Sequence, residues 1–289
     1  MHKKTTSDWV VNLMSYSLIS LLCVTVLIPL WNLFVVSVSP VATDAMTFRF
    51  WPKAFDWKAW QGIITSEFIW RSFYNTIFRV VLGTAIAIIM TVLTAYPLSK
   101  KMLPFRKLFL IMVLFTMLFS GGLIPSYLLV VNMGLRNTIW SLVLPIAVSP
   151  FNVIIMKNFF AALPKSLEES ATIDGANDLI VLFKIAIPMS MPVIATITLW
   201  LVVTHYNAWF DVVLYITERS RYVLQIVLRE YQASKDPATM NLGTTEVVTM
   251  TPESIRAATT LFVMVPIIMV YTFLQKYFIK GISLGAIKE

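Results

Sequence analysis

Six long apolar stretches, separated by polar segments of unequal length, organise the chain. They run from Asn12 to Val36, Phe73 to Leu98, Leu108 to Val131, Thr138 to Met156, Ser190 to Ile216 and Ala257 to Phe278. Each is near the ~20 residues that a helix needs to cross the hydrocarbon of a bilayer. Lys3 and Lys4 precede the first stretch, but it is too long for a signal core and has no small-residue cleavage site at its end. It therefore predicts a membrane span. Pro29, Gly83, Gly121, Gly122, Pro125, Pro145 and Pro266 fall within these stretches and predict kinks and close helix packing.

Basic residues give the orientation. Lys100, Lys101, Arg106 and Lys107 crowd into the short connection after the second stretch, which predicts a cytoplasmic loop. Lys3, Lys4, the segment Lys157–Pro188 and the tail with Lys276, Lys280 and Lys288 then fall on the same side. The long segments 40–70 and 217–256 fall outside. The first carries Pro40, Asp44, Arg49, Pro52, Lys53, Asp56, Lys58 and Glu67, and long loops weigh little in this rule. The expected fold is all-α, with six transmembrane helices and both termini in the cytoplasm, as one membrane domain over residues 1–289.

Composition supports a bilayer environment. Of 289 residues, 58% are hydrophobic and 13% charged, and the mean hydropathy is +0.77. The charged share is about half that of a soluble globular chain. A net charge of +8 would suggest nucleic acid in a soluble protein. Here the cations lie beside apolar stretches, so no nucleic-acid partner is expected and the bilayer is.

Absences narrow the chemistry. One cysteine, Cys23, excludes a disulfide framework, and two histidines, His2 and His205, leave little for a metal site. No glycine is followed by lysine, so no phosphate-binding loop is present and ATP is not expected to bind this chain. HExxH is missing too. No cofactor, metal or catalytic residue is expected.

The segment Leu163–Pro192 is longer than a plain connection requires. Ser166 with Glu169 has the spacing of a capping box and predicts a first short helix. Gly175 suits the left-handed position that ends one. Asn177 or Asp178 can cap a second helix, in which Leu179, Leu182, Phe183 and Ile187 recur at helical spacing and which Pro188 closes. A folded helix–turn–helix carried between two spans predicts docking onto a cytoplasmic partner.

Glu169-Ser170-Ala171, Gly175, Ile185, Ile187 and Pro188 stand at the spacing of the Glu-Ala-Ala motif, and the chain resembles the membrane subunits of binding-protein-dependent ATP-binding-cassette importers. Ser170 replaces the motif's second residue, alanine, and Ile187 its leucine. Three further segments, SGGLIPSYLLVVNMGLRNTIWSLVLP, FNVIIMKNFF and YNAWFDVVLYI, resemble permeases of carbohydrate importers. The tail KGISLGAIKE resembles the branch associated with complex or polysaccharide-derived oligosaccharides. The resemblance covers nearly the whole chain.

It implies a type I importer permease in a bacterial cytoplasmic membrane, with a cytoplasmic coupling helix in the loop 157–190. It further implies a second homologous permease, an external solute-binding protein and two ATPase subunits that bind ATP and magnesium. Glu168, Glu169, Ser170, Ala171, Asp174, Gly175, Ala176, Ile185 and Pro188 would serve the coupling. Glu169 would meet a basic residue of the ATPase, or act only as a capping partner; both roles together fit the spacing.

Charges within spans are functional candidates. Arg79 is expected near the outer interface, with its head snorkelling to water. Tyr206, Asn207, Trp209 and Asp211, beside His205 and Phe210, combine aromatic faces with hydrogen-bonding groups, as a sugar requires. An interfacial aromatic belt and subunit packing is the alternative. Tyr127 and Asn132 are further candidates. In maltose-type relatives a loop placed like 217–256 probes the binding protein, and Leu224, Ile226, Val227 and Leu228 predict a short structured piece there. Two other functions stay open at this point: import of an amino acid or peptide, and ion-coupled secondary transport. The inverted repeats and midplane ionisable groups of the latter are not visible.

Overall fold

A computed structural model describes residues 6–39, 50–52, 54–234 and 251–286, and all regular structure among them is helical. Helices α1 (Thr6–Ser37) and α2 (Lys58–Thr65) precede α3 (Glu67–Ser99). Next come α4 (Arg106–Leu118), α5 (Leu123–Asn132), α6 (Trp140–Val143), a 3-10 turn at Leu144–Ile146 and α7 (Pro150–Ala161). The polar loop holds α8 (Lys165–Ile173), α9 (Asp178–Val181), a π-helical turn at Leu182–Ala186 and α10 (Ile187–Met189). Helices α11 (Met191–Asn207), α12 (Phe210–Tyr215), α13 (Leu224–Ala233) and α14 (Pro252–Ala286) complete the order. Lys3, Lys4, Pro40, Asp44, Arg49, Lys53, Lys288 and the loop tip 235–250 lie outside the described residues.

Three described helices are long and apolar enough to cross a membrane alone: Trp9–Ser37, Glu67–Ser99 and Pro252–Thr272. Up to three further crossings would be bent pairs: the kinks expected in the stretches 108–131 and 138–156 are full breaks, and the stretch 190–216 is broken as well. The first bends by 112° between α4 and α5, where Gly122 takes φ +87 and cannot continue a right-handed helix. The second bends by 50° before α7. Pro150 lacks an amide hydrogen and holds Ser149 extended, so the helix restarts there with Ser149 as its cap. The third turns through 80° at Ser190, ahead of Pro192. It breaks again at Ala208, whose backbone is extended.

Two compact units divide the chain: Met1–Trp70 with Leu228–Met264, and Arg71–Val227 with Val265–Glu289. In the first, the Trp60 indole donates to Ser37 Oγ (3.1 Å), and the Trp70 and Phe262 rings meet edge to face at 5.8 Å. Arg256 donates to the carbonyls of Tyr231 and Ser234. The second unit holds the largest apolar core, built from Ala87, Tyr96, Met156, Phe160, Leu182, Ile197 and Leu201. It ties α3, α7 and α11 to the start of the polar loop's second helix.

Candidate functional site

The loop 163–192 folds as a helix–turn–helix, but its start differs from expectation. Pro164, not Ser166, stands at the N-cap of α8, and no side chain caps it. Ser166 lies one residue inside the first turn, because the helix begins at Lys165 directly after the proline. The far end follows the sequence. Gly175 takes φ +84, its amide donates to Thr172 O (3.0 Å), and the Ala176 amide donates to Ala171 O (2.9 Å). These two bonds form a Schellman closure, which satisfies the last carbonyls of α8 and reverses the chain. Asn177 then caps α9, its side chain accepting from the Ile180 amide at 2.9 Å.

Pro188 does not close the second helix. Helical structure runs on to Met189, and the π-helical turn at Leu182–Ala186 widens the backbone just before the proline ring. A wider turn relieves the clash between that ring and the carbonyl four residues earlier. Ile185 lies within the turn.

No residue of α8 is buried, and Glu169, Ser170, Asp174 and Gly175 are exposed. Ile173 is 87% exposed, Leu179 61% and Phe183 59%. Apolar side chains this open at the tip of a polar loop form a surface suited to a protein partner.

One contact ties the loop back to a span. Glu168 forms an ion pair with Lys100, the residue directly after α3, and the Lys100 ammonium sits 4.4 Å from the centre of the Tyr96 ring. Burial alone would lower the Lys100 pKa. Hydrogen bonds to Glu168 and Tyr96 outweigh it and hold Lys100 above the ordinary lysine value. Tyr96 in turn meets Phe160 of α7 edge to face at 5.7 Å. The sequence identified Lys100 only as an orientation charge, because nothing in the 68 positions to Glu168 signals a pairing.

Arg79 does not snorkel. Its side chain is fully buried and paired with Asp211. Nη1 donates to Asp211 Oδ1 (3.2 Å) and to Ala208 O (3.3 Å), and Nη2 reaches Leu142 O at 3.5 Å. The guanidinium therefore satisfies a carbonyl freed by the break between α11 and α12. Asp211 is engaged in this pair rather than presented as a lone acceptor.

Tyr206 is buried, Asn207 is exposed and accepts from Gln225 Nε2 (3.3 Å), and the Trp209 ring meets Phe210 edge to face at 5.6 Å. Tyr127 stacks on Tyr215 with ring centres 6.0 Å apart, while Asn132 is exposed at the end of α5. In the segment 217–256 α13 supplies the expected structured piece, with Leu224, Ile226 and Val227 buried.

Residues 101–284 match the sequence profile of a family described as binding-protein-dependent transport system inner membrane component. The chain is 42% identical to Protein LplC of Bacillus subtilis (strain 168) over 242 residues, 84% of this chain and 82% of that one. It is 40% identical over 238 residues to the same organism's polygalacturonan/rhamnogalacturonan transport system permease protein YtcP, covering 82% and 83% of the two chains. Its fold superposes with a TM-score of 0.85 on a chain of a bacterial ABC transporter involved in the import of the acidic polysaccharide alginate. The two are 30% identical, with 96% of this chain and 100% of that chain covered.

Proposed function

The chain belongs to the family of binding-protein-dependent transport system inner membrane components, and we propose that it forms half of the translocation pathway for an oligosaccharide derived from an acidic polysaccharide. The substrate class is supported by the names of the relatives, two of which handle galacturonan-type and alginate chains. In this reading the permease has six spans with both termini in the cytoplasm, and residues 1–289 act as one domain. A solute-binding protein delivers the sugar from outside. A second homologous permease completes the pathway, and two ATPase subunits bind ATP and magnesium.

The observation that carries the coupling role is the closed helix–turn–helix at 163–192, with its exposed Glu169 and apolar tip. Glu169 offers a carboxylate to a basic residue of the ATPase. Ile173, Leu179 and Phe183 lose water as they enter its cleft, at about 25 cal/mol for each Å² covered. When ATP draws the two ATPases together, the docked loop moves with them. Glu168 passes that displacement to Lys100 at the end of α3, and the Tyr96–Phe160 contact extends it to α7. Two spans then shift with one loop.

Co-purification tests this reading. The detergent-solubilised chain, taken from its native host, is expected to bring down a second permease and a nucleotide-binding subunit. A chain carrying Glu169→Lys with Gly175→Pro is expected to keep the permease and lose the ATPase. Recovery of the native chain alone, together with sugar transport in liposomes without ATP, would overturn the proposal.

A further inference from the structure

The turn between α3 and α4 gathers cations and open apolar side chains within a few residues. Lys101 and Lys107 are exposed, and neither has an acidic partner among the described residues. No Asp or Glu stands anywhere from residue 68 to residue 167, and Glu168 is engaged by Lys100. Between the two cations, Met102 is 93% exposed and Phe105 75%.

Hydrogen bonds give this turn a defined shape. Leu103 N donates to Lys100 O (3.4 Å) and Arg106 N to Leu103 O (3.3 Å). Arg106 Nε donates to Leu98 O (2.8 Å), which pins the start of α4 to the end of α3. Phe105 takes φ +55, a left-handed backbone that a bulky residue rarely adopts, and still leaves its ring open. The depth of the turn follows from α4. No residue of that helix is buried, and Leu108, Phe109, Ile111 and Met112 are each about half exposed. A helix this apolar and this open belongs in hydrocarbon from its first turn, so Lys107 stands at the hydrocarbon edge. Residues 101–107 then lie at the level of the lipid headgroups. There Met102 and Phe105 gain apolar cover, and the two lysines meet whatever charge the headgroups carry.

We propose that this turn is a binding site for an anionic phospholipid of the cytoplasmic leaflet, with Lys101 and Lys107 on the headgroup and Met102 and Phe105 inserted beside the start of the acyl chains. The charges are complementary, since anionic lipids of that leaflet attract lysines placed at the membrane surface. A protein partner fits less well, because the apolar side chains of the turn run without a gap into the open apolar side chains of α4. The site also has a regulatory consequence. Lys100, which pairs with Glu168 of the docking loop, directly precedes Lys101. Lipid held at Lys101 steadies the end of α3 on which that ion pair rests, so the lipid composition of the membrane regulates coupling. This rests on the reading above, in which the turn and the docking loop lie in the cytoplasm.

The test uses the assembled transporter in nanodiscs of phosphatidylcholine, alone or mixed with phosphatidylglycerol. Native mass spectrometry is expected to find phosphatidylglycerol retained in preference to phosphatidylcholine. Lys101→Gln with Lys107→Gln is expected to weaken that retention about fivefold for each cation removed, and Lys101→Arg with Lys107→Arg to keep it. ATP hydrolysis stimulated by the binding protein is expected to rise about threefold with phosphatidylglycerol in the wild type and to stay flat in the glutamine variant. In a Cys23→Ser background, a fluorophore on Met102→Cys is expected to be quenched by lipid brominated near the headgroup. Equal retention by wild type and the glutamine variant overturns the site. So does a lipid response that the glutamine variant keeps, or a fluorophore that brominated lipid leaves bright. Loss of the ATPase subunits from the glutamine variant in phosphatidylcholine alone would assign the lysines to a protein contact and overturns it too. Reaction of Met102→Cys with an impermeant thiol reagent added outside intact cells instead removes the cytoplasmic orientation, and the site with it.

Discussion

Arg79 and Asp211 stand 132 positions apart in sequence and form an ion pair, buried at Arg79 and partly exposed at Asp211, that joins α3 to the start of α12. Asp211 also accepts from its neighbour's amide, Val212 N, at 2.9 Å. The pair thus fixes a broken span against a continuous one, and it sits within a few residues of the place where the His205 ring packs against Gly83.

Removing Asp211 leaves the fully buried guanidinium uncompensated, which costs about 3–5 kcal/mol, and removing Arg79 costs less because the Asp211 carboxylate keeps some contact with solvent. Arg79→Met and Asp211→Asn are each expected to lower the thermal midpoint of the detergent-solubilised protein. The double substitution is expected to recover part of the loss. A double variant whose loss equals the sum of the singles would show that the two side chains do not act on each other.

Gly83→Ala drives a methyl group into the His205 ring, and overpacking of a tight core costs about 1–3 kcal/mol. Pairing it with His205→Ala makes room and is expected to return much of the stability. Thermal unfolding of the two variants side by side reads this directly. Equal midpoints for Gly83→Ala and wild type would contradict the close approach.

The Lys100–Glu168 pair is about one-quarter exposed at both ends, so its stability contribution is small, at most about 1 kcal/mol. Its expected effect is on coupling. Glu168→Lys should leave the folded yield unchanged and reduce sugar moved per ATP hydrolysed, and Lys100→Glu in the same chain should restore it. Because Lys100 titrates above its ordinary value, the pair's stabilisation is complete below that value and is lost only as pH rises through the raised one. Transport stoichiometry is therefore expected to show no dependence on this pair from about pH 6 to about pH 9. A loss of stoichiometry within that range that Lys100→Arg abolishes would count against it.

Gly175 and Asn177 set the turn of the docking loop. Gly175→Val places a β-branched residue at φ +84, and Asn177→Ala removes a cap worth about 1 kcal/mol. Both are expected to weaken capture of the ATPase subunit while the chain still inserts and pairs with its partner permease. Quantitative pull-down measures the ratio of the two partners, and an unchanged ratio for Gly175→Val would speak against a shaped docking turn.

The helical class and the position of each apolar stretch were legible because hydropathy averages over a window about as long as a span. That same averaging hides interruptions of one to four residues. Phe119–Gly122, Ala147–Ser149, Ser190 and Ala208–Trp209 break three stretches without lowering their apolar content. Pro150, Pro192 and Gly122 were visible in sequence, yet a proline or glycine in a span signals either a kink or a full break, and neighbours decide between them. The docking loop was readable where local backbone chemistry rules, at Gly175 and Asn177. It misled at Ser166, where Pro164 had already fixed the helix start. Arg79 was assigned to the interface because it lies about one turn into its apolar stretch, and nothing in the sequence signals a partner 132 positions away.

The three bent pairs also bear on how the chain is built into a membrane. A straight apolar helix satisfies its own backbone and can leave the insertion machinery alone. A segment interrupted at Ala147–Ser149 or at Ala208 carries open carbonyls into hydrocarbon unless a neighbour already meets them. For Ala208 that neighbour is Arg79, synthesised 129 residues earlier. Helix α3 must therefore wait in the bilayer, its guanidinium unpaired, until α11 and α12 arrive, so maturation of this protein is governed by an encounter between its early and late segments.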